Sequence, residues 1–241
     1  MVIEKIEPEY WFSGLRIKTF QLLIYGEDLE DVSVETTIPC TMLDLSTKTD
    51  DRHLLINIVL DEELKAGTYT LLFVRDDESK SIDYEIKSRK ERTRSVPSIS
   101  SHDVVYLLIP DRFARGDNKH LISDDERNNP NTWHGGNIAG MTATIDYLAE
   151  MGYTAIWHTP VFKGSEYHGY AITNFYEVDS HFGCREDYVK FVSKAHSREL
   201  KVVKDIVLNH CNIEHPWMKH PPLDDWFNGS KKMNKKGQTI K

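Results

Sequence analysis

After Asp103 the apolar residues fall into a repeating order that few folds accommodate. Val104 to Ile109 is a continuous apolar run, and Ile138 to Met151 sets Ile138, Met141, Ile145, Leu148 and Ala149 at helical spacing. Tyr153 to Trp157 is a second run, Tyr188 to Leu200 is again helical through Tyr188, Val189, Val192 and Ala195, and Val202 to Leu208 is a third run. This order reads as β-α-β-α-β with buried parallel strands. Each helix reaches the next strand in a few residues, at Gly152 and Lys201, whereas the segments after the first two strands, about Ala114 to Gly136 and Lys163 to Gly183, are long. Long loops at the carboxyl ends of parallel strands are where α/β enzymes build their sites. Chemistry is therefore expected in Asp111 to Asn137, in Thr159 to Gly183 and beyond Asn209.

The first part of the chain is written differently. Phe20 to Tyr25 before Gly26, Leu54 to Leu60, Thr68 to Val74 after Gly67, and Ile82 to Ile86 are short apolar runs broken by turn residues. They predict strands of an antiparallel sandwich over residues 1–90, with the length of an immunoglobulin-like module. The cluster Tyr10-Trp11-Phe12 could touch sugar faces, but aromatics ahead of a first strand more often serve core or interdomain packing. Lys87 to Asp103 is charged and then Ser-rich with one Pro, so residues 91–103 are read as a linker. Its basic run from Lys87 to Arg94 fits a solvated connector better than a polyanion site.

Composition narrows the partners. A formal net charge of −8 argues against nucleic acid or an anionic membrane as the main partner. Cys40, Cys184 and Cys211 are too scattered for a disulfide framework, although one bridge is compatible with them. Glu4, Glu7 and Glu9 stand where a signal peptide needs an apolar core, and no run reaches membrane length. The expectation is a soluble protein of the cytoplasm, or of the periplasm if a signal has been removed.

Two stretches carry the chemistry. In "GSEYHGYAITNFYEVDSHFG", Tyr167, His168, Tyr170, Phe175 and Tyr176 gather beside polar groups, which suits the apolar faces and polar rims of sugar rings and equally a loop packing its own aromatics. In "VVKDIVLNH", an Asp interrupts an apolar strand that ends on Asn-His. Period two sets Val203, Asp205, Val207 and Asn209 on one side and Lys204, Ile206, Leu208 and His210 on the other. A buried Asp requires a partner, for which an Arg from another strand would serve. A strand-end His can donate to a substrate or simply make a structural hydrogen bond.

In order and spacing these stretches resemble the α-amylase superfamily of glycoside hydrolases. "DIVLNH" is similar to its first signature at the end of barrel strand three, "YHGYAITNFYEVDSHFG" to its loop after strand two, and "VVYLLIPDRFARGD" to its first strand and turn. "NHCNIEHPWMKHPPLDDWFN" resembles the start of the inserted domain of the neopullulanase and cyclomaltodextrinase group, with which an N-terminal sandwich agrees. The resemblance implies a multidomain chain: an immunoglobulin-like β-sandwich, then the first part of a TIM-type (β/α)8 barrel over residues 104–210, then the start of inserted domain B over 211–241. It makes Tyr170 the ring that stacks on the sugar, and His168 and His210 its hydrogen-bonding partners. Asp205 becomes a supporting carboxylate that orients an Arg near the nucleophile. Structural calcium is implied at Asn209 and, in the loop after strand one, at Asp117, Gly135 and Asn137; no organic cofactor is implied.

This sequence departs from the family at several positions. Arg115 stands where the family loop commonly has an Asn ligand and Asn137 where it has an Asp, so a site for hard oxygen ligands has gained a cation and lost a charge. Ala171 and Asn174 replace two common acidic residues, and Lys204 occupies a normally apolar slot, with its head expected to snorkel outward. The family's nucleophile and acid/base come from later strands. A complete barrel takes roughly 250 residues, so truncation after about three βα units is expected, with no catalytic carboxylate in this chain. The resulting expectation is the N-terminal part of a retaining hydrolase of α-glucosidic bonds in maltodextrin, cyclodextrin or pullulan, inactive alone. Its partners would be α-glucan oligosaccharides, with self-association or a homo-oligomer through unpaired barrel strands. Asp205 would find its Arg only outside the chain. The rival of another class is a non-catalytic α-glucan-binding module. A metal protein using His210, Cys211, His215 and His220 is a weaker rival, and a dinucleotide site fails because "GGNIAG" does not fit the required glycine spacing.

Overall fold

The computed structural model describes residues 1–46, 51–89, 98–116, 123, 128–223, 225–228, 232–233 and 239–240. The chain divides into two compact units, Met1–Thr93 with His220–Lys241, and Arg94–Lys219.

The first unit is built from two four-stranded sheets. One has the order β1 (Val2–Glu7), β3 (Thr19–Glu27), β6 (His53–Leu60), β5 (Cys40–Ser46), all antiparallel. The other has the order β2 (Tyr10–Phe12), β8 (Glu78–Lys87), β7 (Gly67–Arg75), β4 (Ser33–Thr36), with β2 parallel to β8. Alternation explains the packing: Phe20, Leu22 and Ile24 from one sheet meet Leu71, Phe73, Tyr84 and Ile86 from the other in a single core. All four predicted strands lie within longer ones. Trp11 stacks on Phe20 with centroids 4.7 Å apart and packs against this core, so its part of the aromatic cluster serves packing.

In the second unit, β9 (Val105–Leu108), β10 (Ala155–His158) and β13 (Lys201–Lys204) form a parallel sheet in the order β13-β10-β9. Register pairs Tyr106 with Ile156 with Val202, and this face packs on α2 (Ile138–Ala143), α3 (Ile145–Glu150) and α4 (Arg185–Ser197) through Ile138, Met141, Leu148 and Phe191. The other face is open in this chain, with Leu107 57% and Trp157 41% exposed. A short α1 (Pro110–Phe113) follows β9, and the hairpin of β11 (Phe162–Gly164) and β12 (Ile172–Val178) occupies the second long loop. No helix among the described residues is long and apolar enough to cross a membrane. The three cysteines are free thiols.

Three predicted boundaries change for local reasons. The single helix expected over Ile138–Met151 is two, because Thr144 turns its hydroxyl back onto Gly140 O (3.2 Å) and Met141 O (3.0 Å). Helix α4 starts at Arg185, ahead of its apolar period, because the Asp187 carboxylate caps the Cys184 N–H at 3.2 Å. The third strand stops at Lys204 and does not reach Leu208. Its only ladder partner, β10, ends at His158, so nothing holds residues 205–208 in a sheet. Past that point strict alternation lapses: Val207 is buried with Phe162 and Ile172, whereas Leu208 is 87% exposed.

Candidate functional site

Three segments of the second unit converge on one carboxylate. Trp157 lies in the central strand, paired with Val203, which shares a sheet face with it two residues before Asp205. Its Nε1–H donates to Asp205 Oδ2 at 3.2 Å, and the Tyr170 hydroxyl donates to the same oxygen at 3.0 Å. This corrects the expectation that Asp205 has no partner inside the chain: its charge already accepts two hydrogen bonds, one from a residue the apolar pattern hid.

Local geometry sets Tyr170. Gly169 has φ +85°, and a Cβ there would lie 1.9 Å from Pro160 O, so only glycine lets the chain pass. The Tyr170 backbone N–H then donates to His168 Nδ1 at 3.0 Å. A backbone N–H can only donate, so Nδ1 is the acceptor and His168 carries a hydrogen on Nε2, which faces Glu166 Oε2 at 2.5 Å. The His168 and Tyr170 rings are 5.9 Å apart. Burial, and then the bond to Asp205, raises the Tyr170 phenol above its ordinary pKa. Tyr170 remains 37% exposed, so its ring is reachable.

The first long loop braces the second. Arg112 lies 3.8 Å from the Tyr167 ring centroid and donates to Pro130 O (2.7 Å), Thr132 O (2.9 Å) and the Asp111 carboxylate. On the helix face, buried His158 bonds Thr159 O through Nδ1 (2.8 Å) and the Tyr188 hydroxyl through Nε2 (2.9 Å). Burial lowers its pKa and raises that of Tyr188. Lys204 remains exposed while its ammonium lies 4.4 Å from the Phe162 ring centroid and 5.1 Å from that of Tyr188.

Of the predicted residues, the structure brings together Asp205, Tyr170 and His168. His210 is exposed, with Nδ1 3.5 Å from Asn209 Nδ2, and among the described residues no hydrogen bond or ring contact joins it to the other three. The residues missed are Trp157 and Glu166. An indole N–H in register beside the strand that carries Asp205 was the available signal for the first, and an acid two residues from a histidine for the second.

The proposed calcium ligands are committed elsewhere. Asn137 is the N-cap of α2, and its Oδ1 accepts from Gly140 N (2.8 Å) and Gly116 N (3.1 Å), while the Gly135 N–H donates to Asp111 Oδ1 at 3.0 Å. Asp117 lies outside the described residues. Among those described, no three His, Cys, Asp or Glu side chains gather to hold a metal, and His215 turns Nδ1 to the Trp217 N–H at 3.2 Å. A neutral amide oxygen already accepting two N–H groups does not fit a hard cation that takes six to eight oxygens.

Comparison with known proteins follows the same division. The family described as "Alpha amylase, catalytic domain" matches residues 107–238, and that described as "Cyclomaltodextrinase, N-terminal" matches residues 5–90. The chain is 31% identical over 137 residues to Alpha-amylase 2 of Dictyoglomus thermophilum, covering 54% of this chain and 24% of that protein. It is 34% identical over 122 residues to a cyclomaltodextrinase of Thermoanaerobacter pseudethanolicus, covering 49% and 21%, and 30% identical over 123 residues to neopullulanase 2 of Thermoactinomyces vulgaris, covering 48% and 21%. An alpha-amylase of Anoxybacillus is similar in structure, with TM-score 0.51 and 40% identity over 55% of this chain and 30% of that one. In each case the chain spans about a quarter or less of the curated relative's length.

Proposed function

This chain belongs to the α-amylase superfamily of glycoside hydrolases, in its cyclomaltodextrinase and neopullulanase-like subgroup, and from that premise we propose that it forms one side of a site that hydrolyses α-glucosidic bonds in maltodextrin, cyclodextrin or pullulan. The observation that carries this reading is the convergence of Tyr170, His168 and Asp205 at the carboxyl end of the parallel sheet.

In this reading an exposed Tyr170 ring offers its face to the apolar side of a glucose unit, held upright by Asp205 through its hydroxyl. His168 presents an Nε2–H for which a sugar hydroxyl competes with Glu166, and His210 reaches the same sugar from beyond β13. Asp205 is a positioning carboxylate and not the nucleophile. The nucleophile and acid/base of a double displacement, about 5 to 5.5 Å apart, would come from further strands of the same barrel. The three parallel strands here, against the eight of such a barrel, support that assignment. The first unit is read as an immunoglobulin-like sandwich, residues 91–103 as a linker and 211–241 as the start of an inserted domain.

The 241-residue chain is accordingly expected to release no reducing sugar from maltoheptaose, pullulan or cyclodextrin. Turnover by a pure sample would overturn this division of labour. A second reading, a glucan-binding module without cleavage, draws on the exposure of both Trp157 and Tyr170 around one carboxylate. Saturable calorimetric binding of maltoheptaose by this chain, with no greater affinity or turnover once the remaining barrel strands are supplied, would favour it.

A further inference from the structure

The structure assigns Trp157 a role that its place in an apolar run conceals: it is a positioning residue, whose indole N–H holds the Asp205 carboxylate in the orientation that fixes the Tyr170 ring. Both donors meet at the same oxygen, Asp205 Oδ2. Asp205 itself lies one residue past the end of the β10–β13 ladder, so no sheet hydrogen bond sets the direction of its side chain. Tyr170 sits in the segment between β11 and β12, outside any ladder. Trp157 alone of the three belongs to a regular element, the central strand, paired on one side with Leu107 and on the other with Val203. The rigid member is thus the tryptophan, and orientation passes from it to the carboxylate and on to the phenol.

Packing does not account for the residue. Its ring is 41% exposed on the open face of the sheet, where a smaller apolar residue would leave less surface in water. What distinguishes tryptophan there is a fixed N–H donor on a large, stiff side chain. A hydrogen bond to a charged group is worth more than a neutral one, and it restricts the carboxylate's rotation as well as satisfying it. The consequence for sugar binding rests on the reading of Tyr170 as a glucan platform; the positioning itself does not.

The test uses the full 241-residue chain with tyrosine 13C-labelled at Cζ, the Tyr170 signal being assigned with Tyr170→Phe. In Trp157→Phe, which removes the N–H and keeps an aromatic ring, the Tyr170 pKa should fall toward the ordinary value of about 10 and match that of Asp205→Asn. A Trp157→Phe titration identical to wild type, with Asp205→Asn lowered, would overturn the assignment. Should Trp157→Phe fail to fold, the Trp157 indole 1H–15N signal is read in Asp205→Asn instead. It should move upfield and exchange faster, and an unmoved signal would count against the assignment. Calorimetry with maltoheptaose then asks whether positioning matters to the ligand. Trp157→Phe should weaken binding roughly tenfold, and should add nothing in an Asp205→Asn background. Independent, additive losses would show that Trp157 does not act through Asp205. Absence of binding by the wild-type chain would count against the glucan reading, while the tyrosine titration would still decide the positioning role.

Discussion

The two units treat their sheets in opposite ways. In the first, each sheet hides a face against the other, and Leu22, Ile24, Ile56, Leu71 and Phe73 are wholly enclosed. In the second, helices cover one face of a three-stranded sheet, and the other face presents Leu107 and Trp157 to solvent. Where both partners of a packed pair lie within the unit, side-chain identity is answerable to volume. Where one face is open, polar atoms such as Trp157 Nε1 and Asp205 Oδ2 become the features that matter, because water or a ligand can compete for them. The lesson is that the apolar run of β10 serves two purposes, burying Ile156 on one side and carrying a hydrogen-bond donor on the other.

The contrast can be broken at its strongest point first. Phe73→Ala should cost about 3–5 kcal/mol in urea unfolding, as expected for a wholly buried aromatic whose cavity cannot collapse. It should leave the Tyr170 titration unchanged; a smaller cost or a shifted Tyr170 would show that the units are not separate in packing.

A smaller effect is expected on the helix face of the second unit. His158 bonds a carbonyl through Nδ1, so its Nε2 accepts from Tyr188 and the ring is neutral. Burial, with repulsion from Lys204 and opposed by the bond to Thr159 O and the Asp205 charge, holds its pKa below the unfolded value of about 6.5. The unfolded chain therefore binds more protons as pH falls through 6.5, and stability should decline from about that pH down to the folded-state pKa. Urea midpoints at pH 7.5 and 5.5 measure this decline, and His158→Leu should reduce it. An equal decline in the variant would place the acid sensitivity elsewhere.

The smallest change in stability belongs to the open face. Leu107→Ser should alter unfolding by no more than about 0.5 kcal/mol, since the side chain is mostly in water already. It should instead reduce self-association measured by light scattering, because exposed apolar surface on a sheet favours association. A monodisperse wild-type chain, or a large loss of stability in the variant, would mean that the face is not open in solution.

Much of this architecture was legible in the residues. Apolar runs at Phe20–Tyr25, Leu54–Leu60, Thr68–Val74 and Ile82–Ile86 all fall inside strands, since an inward face needs apolar side chains wherever it occurs. Four strands went unread because their outward residues are charged or polar and their runs are short, as in Val2–Glu7 and Ser33–Thr36. In the site, Tyr170, His168 and Asp205 were identified by type and spacing, and they do lie together. Trp157 was read only as apolar, since a one-dimensional pattern does not say which donor faces which acceptor.

The order of elements, the switch from strand-rich to alternating grammar near Asp103, and the long loops after β9 and β10 were determined by the sequence alone, because periodicity and turn chemistry are local properties. Tertiary structure decided where β13 ends, since a ladder lasts only as long as its neighbour. It also decided that Asn137 caps a helix and that Asp205 is met by Trp157 and Tyr170. Those outcomes depend on which distant residues arrive within hydrogen-bond reach, and the energy of a buried or half-buried charge is set by those neighbours and not by its place in the chain.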